Sequence, residues 1–168
     1  MRNLVIVESP AKAKTIEGYL GESYSVVASY GHVRDMEDKK GSVSPGNWDD
    51  IKWAISERGK TQLNQISTLA KSADRLILAT DPDREGEAIA WHICELLRVE
   101  GILDSLEVSR AVFNSVTKQA VSDAIENTRE INYEKVQAYL ARRVLDYIVG
   151  FNISPLLWRR LPGAKSAG

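Results

Sequence analysis

Arg75-Leu76-Ile77-Leu78-Ala79-Thr80-Asp81-Pro82-Asp83-Arg84-Glu85-Gly86-Glu87 runs from the most apolar strand-like segment of this 168-residue chain straight into its densest cluster of acids. A short aliphatic run ending at turn-forming residues reads as a fully buried strand, the kind found in parallel sheets. The eight residues from Thr80 to Glu87 then carry four carboxylates. Like charges this close raise one another's pKa unless a cation neutralises them, and hard oxygen donors suit Mg²⁺. Acids in the first turn of a helix also complement its dipole, which accounts for part of the pattern at Glu85 and Glu87. It does not account for Asp81 and Asp83, which flank a proline at the carboxyl end of the strand, the edge where open α/β sheets bind ligands.

Working outward, Leu4-Val5-Ile6-Val7 is a second buried strand with Glu8 at its end. Ser9 suits an N-cap and Pro10 the first helical position, so a helix is expected through Lys12 and Ile16 to about Leu20, with Gly21 as its stop. If the two strands are neighbours, Glu8 faces Asp81 and Asp83 across a crevice. It is then placed to act as general acid or base, or as a further metal ligand. The helix N-terminus, with Lys12 in its first turn, is an anion site. Metal, anion site and acid/base carboxylate together point to chemistry on a phosphodiester.

The rest of the chain alternates in the same way. A strand is expected over Tyr24 to Tyr30, a helix on Leu63, Ile66, Leu69 and Ala70, and a helix after Glu87 with Ile89, Ile93 and Leu96/Leu97 on one face. A strand near Val108 to Phe113 and a helix from about Thr117 to Asn127 follow. Strands alternating with helices indicate an α/β fold with a mostly parallel sheet flanked by helices. Residues 31–58 show no periodicity, only charges, Gly, Ser and Pro around Trp48 and Trp53. Val136, Leu140, Val144 and Tyr147/Ile148 mark a later amphipathic helix, so the division falls near residue 130: an α/β domain over 1–130, then the start of an α-helical domain over 131–168. The final Leu161-Pro162-Gly163-Ala164-Lys165-Ser166-Ala167-Gly168 reads as a chain interrupted in a loop.

The net charge of −1 hides an asymmetry, because residues 129–168 hold 7 basic and 3 acidic side chains. Arg142, Arg143, Arg159, Arg160 and Lys165 either coat a solvated helix or line a phosphate backbone. A single cysteine, Cys94, excludes an internal disulfide and a cysteine-based zinc site. No apolar run reaches the length of a membrane span and no signal peptide precedes the first strand, so a cytoplasmic protein without membrane contact is expected.

Several blocks resemble, in order, those of type IA DNA topoisomerases, chiefly the bacterial topoisomerase I branch. They are Val7-Glu8-Ser9-Pro10-Ala11-Lys12-Ala13-Lys14-Thr15-Ile16, Ser29-Tyr30-Gly31-His32-Val33-Arg34-Asp35, and Asp81 through His92. Arg110-Ala111-Val112-Phe113-Asn114-Ser115-Val116-Thr117, Ala141-Arg142-Arg143-Val144-Leu145-Asp146 and Ser154-Pro155-Leu156-Leu157-Trp158 continue the match.

The resemblance implies a TOPRIM (Rossmann-like) fold to about residue 130, then the beginning of the domain that helps form a groove for single-stranded DNA. It implies that Glu8 works at the scissile phosphate with Lys12, and that Asp81, Asp83 and Glu85 handle Mg²⁺, with Glu8 as a further ligand. Arg143 is expected at the active site, and Lys12, His32, Arg142, Arg143 and Asp146 against DNA. The implied reaction is ATP-independent relaxation of negatively supercoiled DNA through a 5′-phosphotyrosyl link.

Two departures stand out. Tyr139 and Leu140 occupy positions where the family commonly has paired glutamines. None of the six tyrosines lies in the family's nucleophile motif. The nucleophile is expected on downstream domains of the same polypeptide, with this chain inactive alone and the whole a monomer. A metal-dependent TOPRIM nuclease or primase stays open as an alternative, as does a non-catalytic nucleic-acid-binding module. For single residues, His32 reads equally as surface or functional, His92 as packing or solvated, and Trp91 and Trp158 as core. Trp48 and Trp53 are open as base-stacking platforms.

Overall fold

A computed structural model describes residues 1–44 and 46–160, with the backbone alone at 48 and 49. The expectations placed on the Trp48 side chain, on Lys165 and on the 161–168 loop lie outside the described residues.

Four strands form one parallel sheet: β1 (Asn3–Val7), β2 (Tyr24–Ala28), β7 (Arg75–Leu78) and β8 (Glu107–Arg110), in the order β2-β1-β7-β8. Leu4 lies opposite Ser25 on one side and Leu76 on the other, and Leu76 opposite Val108. All five residues of β1 are buried because the strand is central and covered on both faces.

Alternation sorts its side chains. Leu4 and Ile6 join Leu76 and Leu78 beneath α2 (Glu57–Ala70) and α3 (Arg84–Val99), while Val5, Val7 and Ile77 pack against α1 (Pro10–Glu17) and α4 (Lys118–Glu126). The result is a three-layer α/β/α sandwich, in agreement with the α/β expectation. The chain leaves β1 toward β2 and later returns on its other side as β7. The sheet therefore has its switch point at β1, where a crevice opens between carboxyl ends.

The unreadable stretch after β2 holds two antiparallel ribbons. In one, β3 (Arg34–Met36) pairs with β6 (Trp53–Ile55); in the other, β4 (Val43–Ser44) pairs with β5 (Asn47–Ile51). Beyond α4, α5 (Tyr133–Ile148) packs along α3, and a π turn at Val149–Ile153 leads into α6 (Ser154–Arg160). Met36, Val43 and Val144 form a small core between ribbons and α5.

Several boundaries differ from expectation. Helix α1 ends at Glu17, where Gly18, Tyr19 and Leu20 turn their amides back onto Lys14 and Ile16, so Gly21 is not its stop. Strand β2 ends at Ala28, because Tyr30 and Gly31 take left-handed φ angles of 59° and 86°. Strand β7 stops at Leu78 and β8 at Arg110, whose backbone then pairs with Arg129. Trp158 is 40% exposed and therefore not core. Among the described residues no helix is long and apolar enough to cross a membrane.

Candidate active site

At the carboxyl edge of β1 and β7, Glu8 and Asp81 meet directly. Glu8 Oε1 accepts the Asp81 backbone N–H at 2.8 Å, and Lys12 Nζ, one turn into α1, bonds Asp81 Oδ1. Ser9 caps α1 through the Lys12 amide. Burial raises the Glu8 pKa; the Asp81 amide opposes that, while the Asp81 carboxylate reinforces it. Glu8 thus holds its proton nearer neutrality than an ordinary glutamate.

Asp83 caps α3, its Oδ1 accepting the Gly86 N–H at 2.7 Å, while the Thr80 hydroxyl donates to the Gly86 carbonyl at 2.6 Å. The turn is tight enough that a Cβ on Gly86 would lie 2.1 Å from the Asp81 carbonyl oxygen. Only glycine fits, and the close approach sets where the acids project.

Glu85 points away, its Oε1 lying 3.3 Å from His32 Nε2. The Tyr139 hydroxyl is 3.4 Å from the same nitrogen, and the two rings stack at 5.2 Å. Burial pushes the Tyr139 phenol up to about 12, with Asp35 reinforcing it. Arg143 grips Asp35 bidentately, Nε to Oδ1 at 3.2 Å and a terminal nitrogen to Oδ2 at 2.8 Å. Arg142 and Asp146 project more freely, 3.9 Å apart. These side chains line a polar cavity of about 380 Å³ that also includes Arg84.

The expected residues therefore fall into two adjoining groups, one around Asp81 and one along α5. Among the described residues no three His, Cys, Asp or Glu side chains already converge into a coordination shell. The donor chemistry nevertheless fits a hard cation, since the Asp81 carboxylate already takes the ammonium of Lys12 as partner, and Asp83 and Glu85 face only an amide and an imidazole. Glu87, fourth in the acidic run, is fully buried against Arg110 and Arg129 and is no ligand.

Sequence reasoning gave no role to Arg110, Asp35 or Lys135, whose partners lie far along the chain. His92 packs: it is fully buried, accepts from Arg34 Nε at 2.8 Å, and is pushed by burial to about 3. Arg34 itself lies between Trp53 and Trp91, 5.2 and 5.3 Å from their rings, so the Trp53 face is already occupied by a cation.

Residues 3–116 match the model of the Toprim domain. The chain belongs to the Toprim family. Relatives of this Toprim chain include the DNA topoisomerase 1 of Zymomonas mobilis, 56% identical over 165 residues, and that of Rickettsia bellii, 53% identical over 166. Each alignment covers 98% of this chain but only 14% and 21% of those proteins. The structure of full-length topoisomerase I from Thermotoga maritima superposes with a TM-score of 0.83 at 42% identity, covering 98% of this Toprim chain and 27% of that one. The chain thus spans about a fifth or less of these curated relatives. For a Toprim chain akin to topoisomerases a divalent metal is implied.

Proposed function

We propose that this chain is the N-terminal part of a type IA DNA topoisomerase, a cytoplasmic monomer that relaxes negatively supercoiled DNA without ATP. Residues 1–130 form its TOPRIM catalytic domain and 131–168 begin the helical domain of the DNA groove. The observation that carries the reading is the contact of Glu8 with the Asp81 amide beside Lys12, at the switch point of the sheet.

Asp81, Asp83 and Glu85, with Glu8 adjoining, would hold Mg²⁺, which would supply positive charge at the phosphate. A tyrosine on a downstream domain attacks the phosphorus, gives up its phenolic proton to water and joins the 5′-phosphate, so the bond to the 3′-oxygen breaks and that oxygen needs a proton. Glu8, with its raised pKa, gives that proton and takes it back on religation. Lys12, in the first turn of α1 beside Asp81, would pair with the scissile phosphate. His32, Arg142, Arg143 and Asp146 face the single-stranded DNA, and Arg143 exchanges Asp35 for the backbone near the reacting phosphate.

The test is incubation of the chain with labelled single-stranded DNA and Mg²⁺, read on a denaturing gel. The expected result is no cleavage by this chain alone, with cleaved strands and a protein–DNA adduct appearing once the downstream segment is present. Cleavage by the chain alone, without an adduct, would replace this reading with a metal-dependent nuclease.

A further inference from the structure

Behind the acidic loop lies an ion cluster that the proposed chemistry does not use. Glu87 and Arg110 are both 0% exposed. Arg110 donates to the carbonyls of Leu78 at 2.7 Å, Ala111 at 2.9 Å and Asp81 at 2.7 Å, and its Nε lies 3.3 Å from Glu87 Oε1. On the other side, Arg129 bonds Glu87 Oε1, and the Asn132 backbone N–H donates to Glu87 Oε2 at 3.0 Å. Asn132 is also the N-cap of α5, accepting the Lys135 amide, and Lys135 Nζ reaches back to the Pro82 carbonyl at 2.5 Å. One carboxylate thus faces both sides of a joint: Arg110 of β8, which also grips the Asp81 carbonyl, and the segment that launches α5.

We propose that Glu87 is a positioning residue that locks the acidic loop to the start of α5, so that order at Asp81 and order at residues 129–135 rise and fall together. An uncompensated charge at this depth is untenable, so the cluster is either complete or open. Loss of the Arg129 and Asn132 contacts leaves Arg110 as the sole partner and loosens its grip on the Asp81 carbonyl. Any displacement of α5 is thereby felt at the carboxylates. The consequence for catalysis rests on the Mg²⁺ reading above; the coupling itself does not.

The test is amide hydrogen exchange by NMR on the 168-residue chain. Arg129→Ala removes a Glu87 contact from the α5 side and touches nothing in the acidic loop. Coupling predicts at least tenfold faster exchange at the Asp81 and Gly86 amides, with the amides of β1 unchanged. Faster exchange confined to 129–136, or an equal rise through β1, overturns the proposal. Lys135→Met, which cuts the direct tie from α5 to the Pro82 carbonyl but leaves the buried cluster whole, is the second variant and should raise exchange at Asp81 less than Arg129→Ala does; an equal or larger rise counts against Glu87 as the lock.

A second arm separates coupling from metal binding. Glu87→Gln keeps an oxygen for the two arginine donors but removes the compensating charge and sets an NH₂ against the Asn132 N–H, so the joint is cut at Asn132 and weakened at the arginines. Titrated Mg²⁺ should shift the Asn132 amide resonance in the parent chain and not in this variant. Equal Asn132 shifts in both refute the coupling. No shift at Asp81 or Asp83 in the parent refutes the metal reading and leaves the exchange result to decide the coupling.

Discussion

At the carboxyl edge of the sheet, Asp81, Glu87 and Arg110 are each held by three or more polar partners over a finished core. From Leu145 through Val149 and Ile153 to Leu156, Leu157 and Trp158, by contrast, apolar side chains stand exposed along α5, the π turn and α6. Both regions carry residues of the proposed reaction. The first is rigid because its charges are satisfied inside the protein; the second is a surface that this chain leaves uncovered. Preorganisation of chemistry needs the former, while an exposed apolar face like the latter is what another domain or chain packs against.

The sharpest way to break the contrast is at the acids. Asp81→Asn with Asp83→Asn should abolish Mg²⁺ binding in calorimetric titration while leaving the circular dichroism spectrum intact, and an unchanged titration would remove the metal from this edge. Next comes Glu87→Ala, expected to destabilise the fold by about 3–5 kcal/mol in denaturant titration because it strands two guanidinium groups. A loss under 1 kcal/mol would mean that the cluster is not tightly satisfied.

Protonation tests the same rigidity more gently. His92 has its folded pKa near 3 against an ordinary 6.5, so the folded state binds the fewer protons between those values. Stability from this group is complete above about pH 6.5 and falls as pH drops toward 3, at up to about 1.4 kcal/mol per pH unit. Melting curves should show that slope, and His92→Gln should flatten it. The smallest effect belongs to the other region: Leu145→Lys, on a side chain 58% exposed, should shift stability by less than about 0.5 kcal/mol.

What was legible followed from local pattern. The run from Arg75 to Glu87 showed its strand, turn and acid edge because apolar burial, proline and carboxylates lie within thirteen consecutive residues. Glu8 opposite Asp81 required only that β1 and β7 be neighbours. The ribbons between β2 and α2 were opaque since their strands are two to five residues long and their apolar partners, Val144, Tyr147 and Ile148, sit about a hundred residues later. Glu87 looked like a helix-dipole acid because Arg129 and Asn132 are 42 and 45 positions away. Arg143 looked free for phosphate because its partner Asp35 is 108 residues distant.

The 73-residue span between Glu8 and Asp81 also governs when the site first comes into being. A ribosome adding about 5–20 residues per second needs roughly 4–15 s to deliver Asp81 after Glu8. During that time β2 is the one neighbour available to β1, and the other edge of β1, with four apolar residues, has no partner to pair with. Nascent chains stalled in that interval hold half a sheet and no crevice, which makes this window the one in which a chaperone would have most to shield.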